Sequence, residues 1–125
     1  MATVLHRVQH LGSAHGGTDH FWRQRLTGAA NAILIIGFGV VILSVLGEPY
    51  GRVVAVIGSP FVALLLVLLF VSAAIHMRIG MQVIVEDYIH GEALKVVLLA
   101  ASTFFSIAVA AVAILAVVKL ALGAW

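Results

Sequence analysis

Long apolar blocks alternate with short polar segments along this chain. One block runs from about Leu26 to Leu46, another runs from about Val96 to Val118, and neither contains a charged residue. A transmembrane helix needs roughly 20 apolar residues to cross about 30 Å of hydrocarbon. Neither block alternates between apolar and polar positions as the strands of a membrane barrel do. The two blocks therefore predict transmembrane helices.

The apolar block between them, from about Val53 to Val85, is longer than a single membrane crossing requires. Proline is favoured in the first turn of a helix, where its missing N–H has no helical partner to lose. Pro60 therefore predicts the start of the true span, and residues 53–59 are expected at the membrane interface. A short turn, residues 47–52, should connect this block to the first span.

Two ionisable residues, His76 and Arg78, lie within this second span. A span that ended at Ile75 would leave both at the membrane surface. The apolar residues between Ile79 and Val85 favour the longer span, which puts His76 inside the membrane. Ionisable residues at such depth are costly and usually functional.

Composition agrees with a membrane environment. Of the 125 residues, 63% are hydrophobic and 10% are charged, whereas a soluble domain carries about a quarter charged residues. So few charges cannot cover a water-facing surface, and lipid offers no partner for an open backbone. We therefore predict an all-α membrane protein with three transmembrane helices.

The residue types that are scarce exclude several functions. The chain has no cysteine, which excludes disulfides, thiolate metal sites and a cysteine nucleophile. Its seven Lys and Arg residues are scattered and the net charge is only +2, so no basic stripe suggests nucleic acid as a partner.

The N-terminal segment differs from the rest of the chain. Residues 1–22 are polar and rich in histidine, and we predict a loop or a surface-lying arm there, followed by a three-helix membrane anchor domain over residues 23–125. His6 and His10 have a metal-compatible spacing, but a solvated pair is the favoured interpretation. Arg23 and Arg25 follow two aromatic residues, a combination typical of a membrane interface.

The distribution of positive charge predicts the orientation of the chain. One side of the membrane would carry Arg7, Arg23, Arg25 and Lys95, and the other would carry Arg52 and Lys119. Cytoplasmic segments are enriched in Lys and Arg. We therefore expect a multi-pass protein of the bacterial inner membrane with a cytoplasmic N-terminus.

The second span arranges its polar residues along one helical face. Asp87 follows His76 by eleven residues, which is close to three full turns and about 16 Å along the axis. Gly80 lies one turn after His76, and Tyr88 follows Asp87 at the rim. The same face thus carries an imidazole within the membrane and a carboxylate with a phenol at its cytoplasmic edge.

A neutral imidazole is a good axial ligand for heme iron. Gly80 would leave room for a flat macrocycle near the backbone, and the long side chain of Arg78 could reach a propionate or extend to the surface. A second axial ligand would have to come from a partner chain. Alternatively, His76 simply hydrogen-bonds a neighbouring helix.

The run from His76 to Tyr88 resembles the signature of the small hydrophobic membrane anchor subunit of succinate dehydrogenase, respiratory complex II. The run from Gly17 to Thr27 also resembles that family's entry into its first span, and the three-span layout agrees. Gly28 stands where the family more often has alanine. The resemblance covers about residues 12–120.

The resemblance implies a set of cofactors, partners and residue roles. The three spans would form part of a heteromeric helix bundle, with a heme b between this chain and a second heme-binding anchor subunit. His76 matches the family's iron ligand. Tyr88 matches the residue that hydrogen-bonds a quinone carbonyl, Asp87 matches its neighbour at that site, and Arg25 matches an arginine near the heme propionates. A flavoprotein and an iron-sulfur subunit would oxidise succinate and pass electrons to ubiquinone or menaquinone.

Other functions fit the same pattern of residues. A fumarate reductase anchor would use the same parts in the reverse direction. A small transporter or channel subunit could place His76 and Arg78 along a polar path, and a purely structural anchor would need no cofactor. A visible spectrum with a reducible b-type band would distinguish the redox functions from the others.

Overall fold

The chain is built from four helices and the short turns that join them. The structure, a computed structural model, describes residues 14–123 and, within them, every side chain except those of residues 14–17 and 20. In chain order the helices are α1 (Ala14–Val45), α2 (Tyr50–Ile57), α3 (Pro60–Tyr88) and α4 (Glu92–Ala121). No strand occurs among the described residues, so the predicted all-α fold is confirmed.

Three of these helices contain segments long and apolar enough to cross a membrane. The segments are Phe21–Val45, Pro60–Tyr88 and Glu92–Ala121, which confirms the three predicted spans. Pro60 lies in the first turn of α3, as its missing N–H suggested. The segment before it forms the separate short helix α2, because residues 58 and 59 end one helix before the next begins.

Helix α1 begins earlier than the sequence suggested. The loop expected before the first span is instead helical from Ala14 onward and continuous with that span. Gly16 and Gly17 disfavour a helix by about 1 kcal/mol each, but extending an existing helix gains a hydrogen bond per residue added. His6 and His10 lie outside the described residues, and the division into a 1–22 tail and a 23–125 anchor domain stays a prediction.

The three long helices form a row with α3 in the middle. Helix α3 packs along α1 on one flank and along α4 on the other, and within the described residues α1 and α4 do not contact each other. Neighbouring helices are antiparallel, since Gly28 faces His76 while Gly37 faces Leu65. The start of the first span and the turn at residues 89–91 therefore share one end of the row.

The most closely packed region lies at the opposite end, beside α2. The buried cluster there consists of Val62, Ala63, Leu66 and Val117, and two residues of α2 pack against it. Gly58 makes this approach possible, because a Cβ atom at that position would lie only 2.6 Å from the carbonyl oxygen of Leu120. The end that carries His76 and Tyr88 lies away from this cluster.

Most large apolar side chains point outward. Ile33, Phe61 and Phe104 are each more than two-thirds exposed, and similar residues line all three spans. An apolar surface this extensive marks contact with a membrane or with other proteins. The fold therefore presents α3 between two flanking helices, within a surface suited to lipid and to further helices.

Candidate functional site

The imidazole of His76 lies between α3 and α1. Its Nδ1 atom is 3.1 Å from the hydroxyl oxygen of Thr27. A Cβ atom at Gly28 would lie 3.5 Å from His76 Cε1, in ordinary van der Waals contact, so the ring edge packs beside this position of α1. The side chain is half-buried. The other ring nitrogen, Nε2, makes no hydrogen bond to any described residue.

A cleft between the same two helices opens next to this ring. The α1–α3 cleft has a volume of about 470 Å³, and it is lined mainly by apolar side chains together with Thr27 and Ser72. Ile75, the residue before His76, forms part of its wall. The surroundings of the imidazole thus include one fixed hydrogen bond and adjacent apolar space, which suit an apolar ring system with a metal at its centre.

Gly80 does not leave open space beside the helix. A Cβ atom there would lie 3.6 Å from the amide nitrogen of Gln24 on α1. The expected gap is therefore filled by a side chain of the neighbouring helix, because two antiparallel helices approach each other closely where one of them has no side chain. Gly80 favours helix packing at this level.

Polar groups continue along the contact between α1 and α3 on both sides of His76. This polar seam consists of Gln24, Thr27 and Asn31 on α1 and of Ser72 and His76 on α3. The Ser72 hydroxyl donates to the backbone oxygen of Thr27 at 3.3 Å. The amide oxygens of Gln24 and Asn31 are buried and have no hydrogen-bond partner among the described residues.

The α1 side of this seam was not predicted from the sequence. Its signal was present, because Gln24, Thr27 and Asn31 recur at intervals of three and four residues and so lie on one helical face. Asn31 is the most informative of them, since a polar amide within an apolar span is unfavourable unless it faces another polar group.

Arg78 projects away from His76. Its Nε atom donates to the hydroxyl of Thr103 on α4 at 3.3 Å. Together with Gln82 and Leu99 these residues line a small cavity of about 140 Å³. The structure therefore brings Arg78 together with α4 and separates it from the imidazole.

Arg25 lies on α1 near the start of the first span. Its guanidinium carbon is 4.8 Å from the centre of the Phe21 ring, a distance typical of a cation–π contact. The side chain is exposed, and its position at the aromatic end of the span agrees with the predicted membrane interface. No described contact joins Arg25 to His76.

Asp87 and Tyr88 complete the last turn of α3, and the connection to α4 is short. Only residues 89–91 separate α3 from α4; Glu86 is still helical and accepts a hydrogen bond from the Gln82 amide at 2.9 Å. The helix extends this far because each added residue gains a backbone hydrogen bond. Both Asp87 and Tyr88 are exposed.

These two rim residues point in different directions. At about 100° per residue, Asp87 has nearly the orientation of His76, whereas Tyr88 is turned by more than a quarter of a revolution. Tyr88 lines a largely apolar groove of about 480 Å³ between α3 and α4, which we call the α3–α4 groove. Tyr88 thus lies at the polar end of the α3–α4 groove.

A metal held wholly by this chain finds no support in the described region. No group of three or more His, Asp or Glu side chains comes together there. The single imidazole at the α1–α3 cleft could supply one ligand to a metal that another chain also binds.

Comparisons with known proteins agree with this arrangement. Residues 1–117 match the family model described as the succinate dehydrogenase/fumarate reductase transmembrane subunit. The succinate dehydrogenase hydrophobic membrane anchor subunit of Paracoccus denitrificans is 32% identical over 114 residues, which cover 91% of this chain and 88% of the relative. No solved structure gives a significant match. The chain therefore belongs to the family of transmembrane subunits of succinate dehydrogenase and fumarate reductase.

Proposed function

We propose that this chain is the membrane-anchor subunit of a succinate:quinone oxidoreductase, in which it helps to bind heme b and the quinone. A flavoprotein and an iron-sulfur subunit would supply electrons from succinate, and ubiquinone or menaquinone would receive them. The single observation that carries the proposal is the position of His76: it lies within a membrane span, its Nδ1 is hydrogen-bonded to Thr27, and both Thr27 and Ile75 line an apolar cleft.

The residues around His76 fit the role of a heme site shared between two chains. His76 would hold the iron through Nε2, together with a ligand from the second anchor subunit. Heme bound there supplies a one-electron carrier. The apolar wall of the α1–α3 cleft would keep water away from the ring. Arg25, at the interface end of α1, is our candidate for a propionate contact, with Arg78 as a second candidate that would have to leave Thr103.

Tyr88 and Asp87 are the proposed quinone residues. A quinone is amphipathic, so its head group belongs at the polar rim and its tail belongs in hydrocarbon. The Tyr88 hydroxyl could donate a hydrogen bond to a quinone carbonyl and stabilise the negative charge that develops on it. The α3–α4 groove offers space for the apolar tail, and Asp87 is exposed where protons can exchange with water.

Substitution of His76 tests whether this residue binds the heme iron. In the purified complex, His76→Ala should remove one axial ligand and so change the low-spin b-type spectrum and the reduction potential. Succinate oxidation with a soluble acceptor should survive, because that chemistry belongs to the partner subunits. The matched control is His90→Ala, since His90 is exposed in the turn between α3 and α4.

The outcome separates two roles for His76. A changed spectrum in His76→Ala, with a normal spectrum in His90→Ala, supports ligation of the iron. An unaltered low-spin spectrum and potential in His76→Ala would show that the iron is bound elsewhere. His76 would then be a helix-packing residue that bonds Thr27.

A fumarate reductase anchor is the second candidate function. The matched family includes subunits of both enzymes, and the same residues would bind heme and quinone in either direction of electron flow. Comparing succinate oxidation with quinol-driven fumarate reduction in the purified complex distinguishes the two.

A further inference from the structure

The Thr27 hydroxyl makes three polar contacts in a span that is otherwise mostly apolar, one of them a long contact to the backbone oxygen of Gln24. The hydroxyl oxygen lies 2.6 Å from the backbone oxygen of Arg23, one helical turn earlier. The same hydroxyl oxygen lies 3.1 Å from His76 Nδ1 on the neighbouring helix. A threonine in a helix often bonds back to the carbonyl four residues before it, but the contact to His76 is a tertiary one.

The two distances determine which group donates in each hydrogen bond. A hydroxyl has one proton and two lone pairs, and a backbone carbonyl can only accept. The shorter contact to the Arg23 oxygen therefore takes the Thr27 proton. The Thr27 oxygen is left as an acceptor, so the proton between Thr27 and His76 belongs to Nδ1.

The direction of this hydrogen bond determines the tautomer of the His76 imidazole. A neutral imidazole carries one N–H, and which nitrogen carries it follows from the hydrogen bond that it makes. With the proton on Nδ1, His76 Nε2 retains its lone pair. The same ring orientation places Cε1 beside Gly28 of α1, where an added Cβ atom would lie at 3.5 Å.

We propose that Thr27 is a positioning residue for His76, which holds the Nδ1–H tautomer and turns Nε2 toward the site of iron binding. The inference rests on the proposed function, because it concerns the ligand assigned to His76. A histidine ligand that donates its other N–H is a stronger donor to the metal, and removing such a partner commonly weakens metal binding by about 10–100-fold.

The reduction potential of the heme tests this proposal. A Thr27 side chain that only packed α1 against α3 would not change that potential. Thr27→Val keeps the size of the side chain and removes the hydroxyl, and Thr27→Ala removes it with less bulk. Without its hydrogen-bond partner, the His76 imidazole donates less electron density to the iron and stabilises the ferric state less. Both variants should therefore raise the reduction potential of the heme. A tenfold change in ferric-over-ferrous preference corresponds to about 59 mV for a one-electron couple.

Thr27→Ser is the matched control, since it keeps the hydroxyl. The serine variant should retain the wild-type potential and low-spin electron paramagnetic resonance signal, while the valine and alanine variants shift both. Heme content is measured alongside, in the complete complex. If either hydroxyl-free variant assembles with the wild-type potential and signal, the inference is overturned and Thr27 only packs α1 against α3.

Failure of this inference can be told apart from failure of the proposed function. If His76→Ala keeps the wild-type spectrum, His76 does not bind the iron, and the proposed function fails at that residue whatever Thr27 does. If His76→Ala changes the spectrum but both hydroxyl-free variants behave as wild type, only the role of Thr27 fails. If neither hydroxyl-free variant assembles while Thr27→Ser does, a loss of helix packing explains the result and the inference is likewise overturned.

Discussion

Tyr88 lines the α3–α4 groove next to the turn at residues 89–91. At a site from which a bound head group has displaced water, loss of one hydrogen bond costs about 1–3 kcal/mol. Tyr88→Phe should therefore slow succinate–quinone electron transfer by about 5- to 150-fold. The heme spectrum should stay unchanged.

The measurement is quinone-dependent activity in the purified complex, compared with succinate oxidation by a soluble acceptor. Tyr50→Phe makes the same chemical change at the start of α2, at the other end of the row, and should leave both activities unchanged. Wild-type quinone activity in Tyr88→Phe would remove this residue from the quinone site.

Single residues also show what the sequence could and could not reveal. Pro60 predicted the start of α3 because the effect of proline on helix geometry is local. The partner of His76 was not predictable in the same way. Apolar residues surround α3 on all sides, so no stripe marks the face that packs against α1. Thr27 becomes a candidate only when the register between the two helices is known.

At the scale of the elements, Gly58 determines how closely α2 and the end of α4 can approach. An added methyl group would collide with a backbone oxygen, which cannot move aside as a flexible side chain can. Overpacking of this kind typically costs about 1–3 kcal/mol. Gly58→Ala should therefore lower the temperature at which the complex dissociates in detergent.

Gly51→Ala is the matched control for that substitution. Gly51 also lies in α2, but a Cβ atom there would meet nothing within 4 Å, and alanine favours a helix over glycine by about 1 kcal/mol. This variant should be as stable as the wild type or more so. Equal dissociation temperatures for Gly58→Ala and the wild type would mean that α2 shifts freely against α4.

The number of spans was easier to predict than their ends. Length and composition settle whether a helix can cross a membrane, and the three predicted spans occur where expected. The predicted start of α1 was wrong by several residues, because polar residues at the rim are compatible with either a loop or a further helical turn. Such residues become helical when the adjoining helix extends through them, because each added residue gains a backbone hydrogen bond.

At the scale of the whole molecule, the orientation in the membrane stays a prediction that the fold makes easy to test. The start of the first span and the turn at residues 89–91 lie at one end, and α2 lies at the other. Because the chain has no cysteine, a single introduced thiol gives an unambiguous signal. Gly91→Cys should react with a membrane-impermeant reagent only from the cytoplasmic side, since positive charge is concentrated at that end.

Gly51→Cys provides the opposite signal and controls for reagent access. Gly51 is exposed in α2, so its thiol should react from the periplasmic side in intact cells. Labelling of Gly91→Cys from outside, with Gly51→Cys protected, would invert the orientation and move the proposed quinone site to the other surface.

The row of helices has a consequence for how the protein is made. Because α1 and α4 share no contact in the described part of the chain, the packing of α1 depends on α3 and α2 alone. These helices leave the ribosome before α4 does, so the first helical hairpin can reach its native pairing while synthesis continues. The Thr27–His76 contact belongs to that hairpin, and the imidazole can be set in place before the last span enters the membrane.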